Sequence, residues 1–141
     1  MDDLLKLDAQ VCFPVYALSR EITNLYRPIL EQLDLTYPQY LVLLVLWENK
    51  TQTVNQIGGK LQLDNGTLTP LLKRLEVKGL VNRTRSKLDE RVVDVSLTVA
   101  GNALKDKAKC IPKEVLEALN VSVDDLQQLK DAIEKIVNRN K

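Results

Sequence analysis

The chain has 141 residues, 45% apolar and 28% charged, with a net charge of only +1, enough to bury the core of one globular domain. It contains no histidine, which excludes His-based triads, imidazole general bases and the commonest metal ligand. No dinucleotide or P-loop glycine pattern is present, and no apolar run approaches the ~20 residues that span a bilayer.

These absences argue against an enzyme and predict a protein without cofactor or metal. Met1-Asp2-Asp3 is acidic and opens no signal-peptide pattern, which predicts a cytoplasmic protein. Two cysteines, Cys12 and Cys110, do not make a disulfide framework. Charge is unevenly spread. From Lys73 to Arg91 there are seven basic residues and three acidic ones, a local +4 that leaves −3 for the remainder. Such a stripe suits either a phosphate-facing surface or a solvated helix and hairpin.

In chain order, Leu4, Leu7, Val11, Val15, Leu18, Ile22, Leu25 and Ile29 repeat at spacings of three and four, which predicts a helical first third. Pro14 and Pro28 are expected to kink or segment it. So long an apolar stripe calls for a partner helix. Thr36 can cap a second helix from Tyr37 to Glu48, with Pro38 in its first turn; it is apolar on most sides and should be buried.

Thr53 can cap a short helix through Val54, Ile57 and Leu61. A turn near Leu63-Asp64-Asn65-Gly66 leads into a helix ending about Lys78. There Leu68, Leu71, Leu72 and Leu75 form one apolar face, while Thr67, Thr69, Pro70, Lys73 and Arg74 stand on or beside the other. Two short helices joined by a tight turn, the second polar outward, read as a helix-turn-helix.

Gly79 ends that helix. Residues 80–85 and 92–97 read as two strands, joined by the charged tip Ser86-Lys87-Leu88-Asp89-Glu90: a basic wing. Thr98 caps a further helix running past Ala108 and interrupted at Pro112, and Ser122 opens a last one to about Asn138. The fold class is therefore mainly α with a small β-wing.

This arrangement resembles the MarR family of dimeric transcription regulators. The run from Leu63 to Glu76 is similar to the recognition helix of its organic-hydroperoxide-sensing branch, OhrR. Asp89-Glu90-Arg91, Ser96-Leu97-Thr98 and Gly101 look like the family's wing signature, and Cys12-Phe13, Tyr26 and Thr36-Tyr37-Pro38-Gln39-Tyr40 like that branch's sensor region. Asn65 departs from the branch, which usually has serine there; its amide can pair with adenine, so base preference can shift.

The resemblance implies one MarR-type domain over 1–141, with residues 35–97 binding DNA and 1–34 and 98–141 forming interlocked dimerisation helices. A homodimer would meet a palindromic double-stranded operator. Asp64, Asn65, Thr67, Thr69, Pro70, Lys73 and Arg74 are the candidate contacts of the recognition helix. Arg85, Lys87 and Arg91 are those of the wing; Arg91 is expected to enter the minor groove, oriented by Asp89.

Cys12 is the candidate redox sensor. If Pro14 opens a helical segment, Cys12 lies near the positive end of a helix dipole. The resemblance implies that the Tyr26 and Tyr37 hydroxyls hydrogen-bond Cys12. Tyr26 lies fourteen residues on, about 21 Å along a straight helix, so they meet only across a dimer or a sharp break; the tyrosines are expected from the partner subunit. Phe13, Tyr16 and nearby leucines should line an apolar pocket for an organic hydroperoxide.

The sulfenic acid so formed would condense with a thiol and release the operator, derepressing peroxide-resistance genes. Two-cysteine members of the branch place a resolving cysteine further along than Cys110, so either Cys110 or a low-molecular-weight thiol can fill that role. Three other readings stand beside this one. They are a repressor released by an aromatic or phenolic ligand with Cys12 incidental, a peroxidase, and a protein-binding winged helix.

Overall fold

The computed structural model describes residues 2–139; Met1, Asn140 and Lys141 lie outside them, as do the extreme ends of the two predicted dimerisation segments. The chain divides into two compact units, the first ending at Lys109 and the second beginning at Cys110.

The first unit opens with two short 3-10 turns, Asp2–Leu5 and Leu7–Ala9, before helix α1 starts at Cys12. This corrects the expectation of a helix from the start of the stripe. Pro14 has no N–H for the Gln10 carbonyl, and its ring would strike that carbonyl in a continuing helix. Gln10 Nε2 donates instead to the carbonyls of Leu4 and Lys6, both at 2.8 Å. Pro28 does not segment the helix: α1 runs through it, Cys12–Glu31.

Helix α2, Tyr37–Asn49, begins at the capping box read from the sequence. Thr36 Oγ1 accepts from Gln39 N, and Gln39 Oε1 accepts from Thr36 N. Tyr40, Val42, Leu43, Val45 and Leu46 are buried, so α2 is the centre of the core. Next come β1 (Thr51–Thr53), α3 (Val54–Leu61, capped by Thr53) and α4 (Asn65–Val77, capped by Asp64). Leu68, Leu71, Leu72 and Leu75 of α4 are all buried, as their spacing predicts.

Strands β2 (Val81–Arg85) and β3 (Val93–Leu97) form the hairpin, each starting one residue later than expected. Strand β1 was not anticipated. It pairs antiparallel with β3, Gln52 opposite Val95, giving the order β1-β3-β2. Helix α5, Val99–Ala108, is capped by Thr98 and stops at Ala108 rather than running on.

In the second unit α6 is Ile111–Leu119 and α7 is Val123–Arg139. Pro112 thus opens α6 instead of interrupting a longer helix, because the first turn needs no N–H from it. Ser122 Oγ accepts from Asp125 N at 3.1 Å, which caps α7 as expected. Among the described residues no helix is long and apolar enough to cross a membrane, and no cluster of three metal-ligating side chains occurs.

The start of α5 is locked to the end of α4. Thr98 Oγ1 donates to the Gly79 carbonyl at 2.6 Å and Thr98 N to Leu80 O at 3.1 Å. A Cβ on Gly101 would stand 2.1 Å from Leu80 O, and the Gly101 carbonyl accepts from Trp47 Nε1 at 3.0 Å. Gly101→Ala must therefore push apart α5 and the turn before β2. We expect it to cost about 1–3 kcal/mol or more, read as a lower denaturant midpoint with wild-type secondary structure at zero denaturant.

Candidate nucleic-acid interface and thiol site

The helix-turn-helix is held by one close approach. Gly58 in α3 has no room for a Cβ, which would lie 2.8 Å from Leu63 O, and its carbonyl accepts from Leu63 N at 3.0 Å. Gln62 turns the chain with φ +57°. Asp64 then caps α4, its Oδ1 accepting from Thr67 N at 2.7 Å. That hydrogen bond from Thr67 holds the Asp64 carboxyl below the usual carboxylate range. Asp64 is thus the cap that its residue type and place before the helix suggested, beside its candidacy as a DNA contact.

The remaining candidates on α4 separate by spacing. Asn65, Thr69 and Lys73 line a groove of about 360 Å³ between α3, α4 and the wing. Thr67, Pro70 and Arg74 stand exposed on the adjoining face. Pro70 lies within α4, so the carbonyl of Gly66 loses its helical donor.

Across the groove lie Arg83, Arg85 and Arg91, and its lining holds no acidic side chain. Arg85 Nη1 donates to Glu90 O at 2.9 Å. Asp89 accepts from Arg91 N, Nε and Nη2 at 3.0, 3.2 and 3.3 Å, while the Arg91 side chain stays 90% exposed. The guanidinium is thus aimed by Asp89 and left open to solvent, in the relation expected from the sequence. In return Arg91 holds the Asp89 carboxyl below its usual range. Lys87 is exposed at the wing tip.

Two groove residues were missed. Arg83 Nη2 pairs with Glu76 Oε1 at 3.1 Å, and its backbone N–H donates to Glu76 Oε2 at 3.2 Å, which lowers the Glu76 pKa. Arg83 Nε is buried without a hydrogen-bond partner among the described residues. Asn55 on α3 accepts from Asn65 Nδ2 at 3.1 Å. Only proximity across the turn reveals Asn55, and the basic stripe alone pointed to Arg83.

The thiol candidates are elsewhere. Cys12 is the first residue of α1 and is exposed. Phe13 is 43% and Tyr16 60% exposed, so within one chain they do not enclose a peroxide pocket. Tyr16 carries the Arg20 guanidinium over its ring, 5.6 Å from the centroid. Cys110, also exposed, occupies the position before α6.

Tyr26 and Tyr37 are brought together, their ring centroids 4.6 Å apart. Tyr40 joins them at 5.9 Å from Tyr26, and Trp47 continues the cluster at 6.4 Å from Tyr40. Burial, and then the neighbouring Tyr37 and Tyr40, push the Tyr26 phenol up to about 12. Because α1 is unbroken, Tyr26 stands about 21 Å along the helix from Cys12. The pair is assembled, but not around the thiol of its own chain.

The turn carrying Tyr37 is tied to α4. Lys78 Nζ donates to Asp34 O and, at 3.1 Å, to Gln39 Oε1, and pairs with Asp34 Oδ2 at 3.7 Å. Gln39 is 2% exposed, so its amide is fixed in place.

Residues 24–108 match the family model described as Transcriptional regulator SarA/Rot. The chain is 53% identical over 131 residues to the organic hydroperoxide resistance transcriptional regulator of Bacillus subtilis (strain 168), covering 93% of this chain and 89% of that one. Among solved structures it is similar to AbfR of Staphylococcus epidermidis. Reduced AbfR bound to DNA has a TM-score of 0.81 at 35% identity, covering 98% of this chain and 96% of the other. The disulfide-formed AbfR has a TM-score of 0.66 at 36% identity, covering 96% of each chain.

A tyrosine with a raised pKa ionises in the unfolded chain before it does in the folded one, so its folded-state advantage declines as pH rises from about 10 to about 12. Tyr26→Phe should flatten that decline. The check is a series of denaturant midpoints between pH 9 and 12, beside an ultraviolet titration that loses its highest-pH phenol.

Proposed function

Because this chain belongs to the MarR family of winged-helix transcription regulators, in its organic-hydroperoxide-regulator branch, we propose that it is a dimeric repressor whose hold on DNA is set by the redox state of Cys12. It is a DNA-binding transcription regulator and not an enzyme. The finer reading assigns residues 35–97 to an operator and 1–34 and 98–141 to dimerisation. On α4, Asn65, Thr67, Thr69 and Pro70 meet base edges and nearby phosphates, with Lys73 and Arg74 supplying charge. From the wing, Arg85 and Lys87 meet phosphate and Arg91 enters the minor groove.

One observation carries the sensing role. The exposed Cys12 heads α1 within an apolar surface of Val11, Phe13, Val15 and Tyr16, which favours cover by a second copy. That second copy brings its own Tyr26 and Tyr37, already in contact, their rings tilted at 47°. The thiolate attacks the outer oxygen of an organic hydroperoxide; the O–O bond breaks, the alkoxide takes a proton and leaves as alcohol, and Cys12 becomes a sulfenic acid. A thiol, from Cys110 or a small molecule, then displaces water to form a disulfide. The adduct's bulk and the lost tyrosine contacts re-space the two recognition helices, and affinity falls.

A second reading is favoured by a cavity of about 310 Å³ lined by Thr23, Arg27, Glu31, Leu35, Thr36, Tyr37 and Pro38. An aromatic or phenolic ligand seated there would release DNA with Cys12 incidental.

An electrophoretic shift on a palindromic operator separates the two. Wild type should release DNA on cumene hydroperoxide and rebind after reductant, while Cys12→Ser holds throughout. Equal release by both proteins, or by neither, contradicts the redox reading and turns attention to the Tyr37 cavity.

A further inference from the structure

We propose that Asn55 is a positioning residue for base recognition, fixing the Asn65 amide so that Asn65 reads an adenine in the operator. The inference rests on the DNA-binding reading above and deepens it. Asn65 is the first residue of α4, directly after its cap, and lines the groove that faces the wing. Its Nδ2 donates to Asn55 Oδ1 at 3.1 Å, across the turn between α3 and α4.

That turn is rigid. Gly58 packs against Leu63 O with no space for a side chain, and Asp64 holds Thr67 N at 2.7 Å, so the two asparagines sit on a fixed frame. An asparagine amide offers two N–H donors and one oxygen in a plane. Asn55 takes one N–H. The other N–H and Oδ1 remain, the donor and acceptor that adenine N7 and N6 require in the major groove.

Without Asn55 the exposed Asn65 side chain turns freely about its terminal torsion, and ordering it has to come out of the binding energy. With Asn55 the amide plane is set before DNA arrives. Asn55 also lines the groove beside Lys73, Arg83 and Arg85, where its own amide N–H groups remain available to phosphate oxygens. Serine at position 65 would offer one hydroxyl and no amide plane to hold, so the Asn55–Asn65 pair is one unit in the reading of sequence.

The test is competition binding of the reduced full-length protein to duplexes carrying every single-base change in each half-site, with a random-sequence duplex as reference. Wild type should prefer adenine at one position per half-site by roughly 5- to 150-fold, the discrimination of a bidentate pair. Asn55→Ala should reduce that preference at least about five-fold while preferences elsewhere change less than about two-fold. Asn65→Ala should lose the same preference, and adding Asn55→Ala to it should change nothing more.

Asn55→Asp keeps the accepting oxygen but places a negative charge near phosphate. It should retain the preference and weaken binding to all duplexes alike. A wild-type adenine preference that Asn55→Ala leaves intact overturns the inference alone, as does a uniform loss with all preferences kept. A wild type that binds every duplex like the random one overturns the operator reading and this inference together.

Discussion

Lys78 ties the end of the helix that lines the groove to the turn that carries Tyr37, beside the buried leucines of α2 and α4. One ammonium serves the Asp34 carbonyl, the Asp34 carboxylate and the buried Gln39 amide. Gln39 Oε1 is also half of the capping box that starts α2. Charge-assisted hydrogen bonds of this kind are shorter and stronger than neutral ones. Lys78 thus bridges the first turn of α2 and the last turn of α4.

Helix α1 supplies the second constraint. It is a single helix of 20 residues with Cys12 at its head and Tyr26 in its second half. Rigidity over that length separates the thiol from the tyrosines of its own chain. It also leaves Val11, Phe13, Val15 and Tyr16 exposed on a short apolar surface. Both features are accounted for together if a second chain lies against this end of α1. Oxidation chemistry at Cys12 would then be felt by two chains, and through the turn at Tyr37 by the end of α4 that Lys78 holds.

Much of this was legible in the sequence because local rules and the fold agree. Thr36, Thr53, Asp64, Thr98 and Ser122 each cap the helix they precede, and the leucines of α4 are buried at the expected spacing. Where local rules competed, the reading failed. The apolar period before Val11 favoured a helix, yet the steric demand of Pro14 on the preceding turn prevailed. Pro28, with the helix already formed on both sides, did not end it. Strand β1 has three residues and no local signal, since it exists by pairing with β3 some forty residues later.

The site followed the same division. The family's wing pattern implied that Asp89 orients Arg91, and the two side chains are hydrogen-bonded. Asn55, Arg83 and Lys78 take their roles from Asn65, Glu76, Asp34 and Gln39, partners that one-dimensional reading does not bring together. Trp47 had only the look of a core residue of α2 until it was seen against Tyr40, which in turn contacts Tyr26.

The central claim is that the thiol of one chain is served by the tyrosines of another, and a mixed dimer tests it most directly. One subunit carries Cys12→Ser with its tyrosines intact; the other keeps Cys12 and carries Tyr26→Phe and Tyr37→Phe. The account predicts that the single remaining thiol reacts with cumene hydroperoxide at the wild-type rate, while the homodimer lacking both tyrosines reacts slowly. If the mixed dimer is as slow as that homodimer, the tyrosines act within their own chain and the account is wrong.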